Sequence, residues 1–208
     1  VKLMDEVIGA VQAVVEDNPL LVESALWAIA GSLSAMYAEL IKMPLWCSPE
    51  VYYKDVRPWI QLFNDVSYQG VVVYDGPQMF RGETGAQSSI VPTLLAALGI
   101  YHESNDLTLH LNVMRRYMPP LHRQFIDAVR EGPSIRPHVF KHYFAHKGLA
   151  HAYNAALETL VRFRKKHLEF AHQYITERQA GDVGTGGTNF EFWLSQLIKE
   201  TEECFVGV

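Results

Sequence analysis

Cysteine is scarce: Cys47 and Cys204 are the only two in 208 residues. That is too few for a disulfide framework and fits a reducing, cytoplasmic setting. Excess positive charge is missing too, since 18 Lys and Arg against 23 Asp and Glu leave a formal net charge of −5, with no electrostatic footprint for nucleic acid. Only VRFRKKH, residues 161 to 167, is locally basic. No run of about 18 apolar residues stands out and nothing at the start resembles a signal peptide, so a soluble chain without a membrane partner is expected. With 49% hydrophobic and 20% charged residues the chain is too apolar for disorder and long enough for a substantial core. Internal repeats and low-complexity tracts are absent. The chain opens Val-Lys-Leu-Met inside an amphipathic pattern with no cap, as though polypeptide had been removed ahead of it.

What is present is mostly helical. Residues 3 to 16 carry apolar positions at helical spacing, and Asn18-Pro19 supplies a cap and a first-turn Pro for a long helix to about residue 42. Ser48-Pro49-Glu50 repeats that signal for a helix through about Phe63, which Pro58 should bend or break. The one strand-like stretch, GVVVYDG at 70 to 76, supports at most a small hairpin. Further helices are expected near 87 to 99, 104 to 117, 120 to 130, 136 to 146 and 148 to 176. Thr188 with Glu191 forms a capping-box pattern for a last helix to about 204. The class is all-α.

The glycine-rich GTGGTNFEFWL, residues 184 to 194, lacks the Lys and the preceding strand of a phosphate loop and has the wrong spacing for a dinucleotide fingerprint. Of the nine histidines, His138, His142 and His146 follow an i, i+4, i+8 spacing that places them on one helical face. They suit either a metal or a polar face beside Lys141 and Lys147, and no carboxylate or Cys sits at a matching spacing. His122 fits a brace between two helices. His167 shares a face with Leu160, Phe163, Phe170, Ala171 and Tyr174. A buried neutral imidazole there is either a hydrogen-bonded core residue or a haem ligand set in an apolar wall. Arg164, Lys165 and Lys166 suit propionates or a solvated face equally.

RGETGAQSS (81 to 89), RRYMPPLHRQF (115 to 125), RFRKKHLEFAHQYI (162 to 175) and GTGGTNFEFWL (184 to 194) occur in the order seen in the indoleamine 2,3-dioxygenases, which this chain resembles over nearly its whole length. The resemblance implies an all-α, multi-helix haem domain with at most one short hairpin. It also implies a haem b cofactor, with ferrous iron binding O2 and both oxygen atoms inserted across the indole C2–C3 bond of L-tryptophan to give N-formylkynurenine. His167 would be the proximal iron ligand and Arg164 would lie near a propionate. VYYKDVRPW looks like the distal segment, with Tyr52 and Tyr53, where the family usually has phenylalanines, lining the indole pocket and Arg57 binding the substrate carboxylate. Gly82 and Gly85 would let the backbone pass close to the haem edge. Gly184 and Thr185 would belong to a mobile lid, 177 to 188, with Thr185 near the substrate's amino-acid group and a propionate. No side chain is expected to be catalytic in its own right, because the iron carries the chemistry.

The departures from the family pattern carry expectations of their own. The stretch ahead of the Tyr-Met pair in HLNVMRRYMPPLHR lacks the acidic residue the family tends to carry. Leu95 stands where some members place an Asp that pairs with the Arg beside the proximal ligand, so a weaker or rewired propionate network is expected there. The family's small N-terminal domain and first distal helix would lie upstream of residue 1, leaving the distal wall to a missing portion or a second polypeptide. The alternatives are a haem enzyme of the same superfamily acting on another indole or a modified tryptophan, and a degenerate, non-catalytic helical module.

Overall fold

The computed structural model describes residues 2–178 and 190–207. Helix α1 (Lys2–Val15) buries Leu3, Val7, Ala10 and Ala13, the inward stripe of an amphipathic helix. It ends at Asp17, which takes a left-handed φ of 54°. The next residue restarts the chain as expected: the Asn18 side chain accepts a bond from the Leu21 amide at 3.2 Å, and Pro19 occupies the first turn of α2 (Pro19–Leu40). Helix α1 packs on α2, and α2 packs along α9 (Lys147–Tyr174), whose 28 residues run about 42 Å. Ala150, Ala152 and Ala156 are fully buried on α9, and their small side chains let the neighbouring helices approach closely.

The sequence-based expectation that no stretch is apolar enough to cross a membrane requires correction. Pro19–Trp46 passes on length and composition alone. Its apolar residues Val22, Leu26, Ile29 and Leu33 are buried within the same hydrophobic core as α1 and α9. Leu20, Leu21 and Trp27 remain exposed.

After a short α3 (Met43–Trp46), Ser48 caps α4 (Pro49–Val51), its hydroxyl accepting from the Val51 amide at 3.3 Å. The expected helix through Phe63 does not continue as an α-helix. Residues Tyr52–Val56 form a π turn, in which the Arg57 amide reaches back to the Tyr52 carbonyl, and Arg57–Ile60 tighten into a 3₁₀ turn. Pro58 is the cause: it has no amide hydrogen and disfavours α geometry in the residue before it. Single π turns of this kind are frequent at functional sites.

The hairpin exists, but displaced. Its strands are β1 (Phe63–Val66) and β2 (Gln78–Phe80), antiparallel with Phe63 opposite Phe80 and an irregularity before Val66 and Gln78. The stretch expected as a strand, 70 to 76, is the connecting loop, with a 3₁₀ turn at Val72–Tyr74. Gly70 and Gly76 take φ of 78° and 80° at its two ends, which breaks the extended run, and Tyr68 stacks on Tyr74 at 5.0 Å to close it. The β-propensity of Val71, Val72 and Val73 loses to that turn chemistry.

Helices α5 (Ile90–Leu98), α6 (Asp106–Arg115), α7 (Pro120–Glu131), α8 (Ile135–His142) and α10 (Phe190–Glu202) complete the all-α domain. Gly99, at φ 71°, ends α5 in the left-handed cap that a Cβ would strain. The fully buried Tyr153 of α9 donates to the Leu98 carbonyl at 2.8 Å, satisfying an acceptor that the end of α5 leaves free. Asn105 and Thr108 form a reciprocal capping box at the start of α6.

Candidate functional site

His167 lies on the C-terminal half of α9, with buried Leu160 two turns before it and buried Phe170 one turn after it. The residue is exposed, yet surrounding protein and the nearby Arg164 charge hold its pKa below the usual imidazole range, burial being the larger cause. Its imidazole has no hydrogen-bond partner among the described residues. The hydrogen-bonded core histidine is therefore not what the structure shows: this imidazole is exposed and, among the described residues, nothing is bonded to it.

The segment expected to face the substrate is seated on the same helix. Tyr174, two turns beyond His167, donates from its hydroxyl to the Cys47 carbonyl at 2.7 Å. It packs edge-on against Tyr52 at 5.6 Å and against Phe170 at 5.7 Å. Those contacts carry Tyr52 to the face that presents His167, at an axial offset of about 10 Å for seven helical residues. Burial raises the Tyr52 phenol pKa, and its hydroxyl has no hydrogen-bond partner among the described residues.

Arg57 is only 7% exposed, so it is not a surface arginine. Its guanidinium lies over the Tyr53 ring, 5.2 Å from the centroid, and its Nε is buried without a hydrogen-bond partner. The carboxylate that could have paired with it, Glu50, is held by Lys54 at 2.6 Å instead. A buried guanidinium costs free energy unless an anion answers it, and none among the described residues does.

Arg164 is committed to protein. One terminal nitrogen donates to the Leu197 carbonyl at 2.6 Å and to the Thr201 hydroxyl, and the other donates to His102 Nε2 at 3.1 Å. His102 therefore carries its proton on Nδ1 and donates it to Glu200 at 2.5 Å. Burial, and secondarily the Arg164 charge, keep His102 below the ordinary imidazole pKa, while burial lowers Arg164 itself to about 10. With Leu95 in the apolar packing around the core, the negative charge answering Arg164 comes from α10 by way of His102. Lys165 and Lys166 pair with Glu202 and Glu169, as a solvated face would.

Gly82 does require close backbone approach, and the neighbour is the chain itself: a Cβ there would meet the Ile60 carbonyl at 1.9 Å and the Gln61 carbonyl at 2.3 Å. Gly85 faces nothing within 4 Å. His122 accepts or donates at Ser89 Oγ, 3.2 Å away, the bracing role expected of it. Gly184, Thr185 and Thr188 lie outside the described residues, as does the expected lid from 179 onward. Two clefts of about 540 and 420 Å³ occur, one beside the hairpin at Trp59, Phe63 and Arg81, the other at Phe192, Gln196 and Glu200. Neither contains His167, Tyr52, Tyr53 or Arg57.

The histidine row is shorter than its spacing implies, because α8 ends at His142 and His146 falls in the turn before α9. It also has the carboxylate that local spacing could not reveal. Asp17 Oδ1 lies 2.8 Å from His142 Nε2 and 3.5 Å from His138 Nδ1. No sequence pattern links residue 17 to 138 and 142; only the packing of α1 on α8 does.

The family model described as indoleamine 2,3-dioxygenase matches residues 1–183. The chain belongs to the indoleamine 2,3-dioxygenase family. It is 31% identical to indoleamine 2,3-dioxygenase 1 of Mus musculus, covering 96% of this chain and 54% of that protein. Against the indoleamine 2,3-dioxygenase of Saccharomyces cerevisiae the identity is 29%, over 85% of this chain and 49% of the relative. A 6-hydroxytryptophan 2,3-dioxygenase of Fusarium equiseti is 34% identical over 62% of this chain and 33% of its own length. The chain thus spans about half the length of the curated relatives it matches. The family is one of haem enzymes, and the residues present fit that group: an accessible imidazole, its pKa lowered by burial, without a hydrogen-bond partner among the described residues, on a helix face flanked by Leu160 and Phe170.

Proposed function

We propose that this chain is the large haem domain of a dioxygenase that inserts both atoms of O2 across the C2–C3 bond of the indole of L-tryptophan, giving N-formylkynurenine. Haem, held by His167, supplies the oxygen chemistry when bound. The protein's own residues bind and orient. Tyr52 and Tyr53 form the aromatic wall of the indole pocket. Arg57 receives the α-carboxylate through the planar fork that a carboxylate matches. Arg164, through Leu197, Thr201 and His102, fixes the register of α9 against α10 and so the direction in which His167 points. Within this reading Gly184 and Thr185 close over the substrate, and polypeptide beyond these 208 residues supplies the remaining wall of the pocket.

The observation that carries the proposal is Arg57: a buried guanidinium, stacked on Tyr53, with an unpaired Nε and no protein anion among the described residues. Arg57→Lys keeps the charge and loses the fork. It should lower kcat/KM for tryptophan by at least about tenfold, the loss of a charge-assisted bond of about 1.5 to 3 kcal/mol, while sparing turnover of an indole that lacks the carboxylate. Equal losses on both substrates, or none on either, would remove the role.

A hydroxylated tryptophan is the second reading. It is favoured by the Tyr52 hydroxyl, which has no hydrogen-bond partner among the described residues, and by similarity to a relative named for 6-hydroxytryptophan. Tyr52→Phe separates the two readings. It should lower kcat/KM for 6-hydroxytryptophan relative to tryptophan if that hydroxyl is recognised, and leave the ratio unchanged if tryptophan is the substrate.

A further inference from the structure

We propose that Asp17, His138 and His142 form a binding site for a divalent cation of the zinc class, structural in role and separate from the pocket at His167. The donor atoms of these three residues lie within 4.8 Å of one another. Donors around a tetrahedral zinc with bonds of about 2.0 to 2.1 Å stand roughly 3.3 Å apart. The separations here, 2.8 Å from Asp17 Oδ1 to His142 Nε2 and 3.5 Å to His138 Nδ1, fall on either side of that edge. The third separation, between the two imidazole nitrogens, is within 4.8 Å, so an ion would draw the two rings together.

The two histidines stand one turn apart on α8, the i, i+4 pairing with which helices present two imidazoles to one metal. Asp17 comes from the turn between α1 and α2 and adds the single negative charge. Two imidazoles and one carboxylate make a borderline donor set that selects zinc or nickel over magnesium or calcium, which prefer all-oxygen cages. A fourth position remains for water.

Two further observations point to a ligand. His138 is 5% exposed, with Nδ1 turned to Asp17 Oδ1 at 3.5 Å and the other ring nitrogen, Nε2, buried and unpartnered, so the ring has been taken out of water without a full set of protein bonds. Burial also favours its neutral form, the one that binds metal. Lys141 Nζ sits 2.6 Å from Asp17 Oδ2, which orients the carboxylate and leaves Oδ1 toward the two rings, as outer partners of metal-bound carboxylates do. The site lies beside the start of α9, whereas His167 is twenty residues along that helix, about 30 Å away along its axis. An ion here does not take part in chemistry at His167. It ties the α1–α2 turn to α8, elements more than a hundred residues apart in sequence.

The test uses tag-free, haem-loaded protein stripped of loose metal with a chelator and titrated with Zn²⁺, and separately with Mg²⁺, by calorimetry and thermal melting. The site predicts one zinc per chain beyond the haem iron, a melting temperature raised by Zn²⁺ and not by Mg²⁺, and no change in Soret intensity. Asp17→Asn retains a residue tolerant of the left-handed φ while removing the charge, and His142→Gln removes an imidazole; each should weaken zinc binding by at least about tenfold. His146→Gln, in the same row but outside the cluster, should leave zinc binding unchanged. Wild-type protein that takes up no stoichiometric zinc overturns the proposal whatever the variants do. Zinc bound as tightly by Asp17→Asn and His142→Gln as by the parent, or lost on His146→Gln, overturns the ligand set.

Discussion

Between Lys147 and Val161, α9 buries eight residues, all but Val161 of them in the core it shares with α1, α2 and α5; between Arg162 and Tyr174 it buries only Phe170 and Tyr174. The first half is apolar and closed. The second carries Arg164, His167 and the seat for Tyr52, with a polar, accessible face between its two aromatic anchors. A haem-binding surface has to stay open toward a ligand, and an open surface contributes little burial to folding. The helix resolves that conflict along its length: the half in the core holds the fold, and the half beyond it displays the donors. Stability and cofactor binding should therefore come apart under mutation.

The sharpest way to break the comparison lies in the closed half. Leu157 is fully buried, so Leu157→Ala should destabilise the chain by about 2 to 5 kcal/mol in denaturant unfolding while leaving the haem content of the folded fraction unchanged. If that variant lost haem in proportion to stability, the two halves would not be separable.

A smaller, pH-dependent loss should come from the junction with α10. His102, held below its ordinary pKa mainly by burial, is neutral in the folded chain. Unfolding restores an ordinary imidazole near pH 6.5, so the unfolded state takes up a proton that the folded state does not. The contribution of His102 to stability is thus complete above that pH and is lost as pH falls through it. His110, His138 and His167 are shifted the same way by burial and add to the trend. Melting temperature should fall with acidification through this range, and His102→Gln should make the fall shallower. An unaltered slope in that variant would remove the neutral His102 bridge from the account.

The smallest effect is expected where the open half meets the substrate-facing segment. Tyr174→Phe deletes the bond to the Cys47 carbonyl and keeps the ring packed on Tyr52 and Phe170. It should cost about 1 kcal/mol of stability, measurable as a shift in the unfolding midpoint. A larger fall in tryptophan turnover than in stability would show that the hydroxyl also positions Tyr52.

The closed half of α9 was the more legible in sequence, because the signals of helix periodicity, the Asn18-Pro19 start and the burial of α1 and α2 are local. Where a local signal met a competing one, the reading slipped. Val71 to Val73 looked like a strand, but Gly70 and Gly76 turned the stretch into the loop between strands that begin at Phe63 and end at Phe80. Pro58 was recognised as a break, though not that the break would take the form of a π turn placing a buried Arg57 beside Tyr53. His167 stood out through its flanking apolar residues. The partners of Arg164, and the Asp17 carboxylate facing His138 and His142, come from helices distant in sequence, and only packing brings them together.

The central proposal is that His167, an imidazole without a hydrogen-bond partner among the described residues, holds the haem iron, and the most direct test is the haem content of His167→Ala. This variant removes an exposed side chain, so the unfolding free energy of its haem-free form should stay within about 0.5 kcal/mol of the haem-free parent. Its Soret absorbance per protein, and its reduced-plus-CO spectrum, should be lost or severely weakened, whereas His122→Ala and His142→Ala should keep both. A His167→Ala protein that retains haem like the parent would contradict the account.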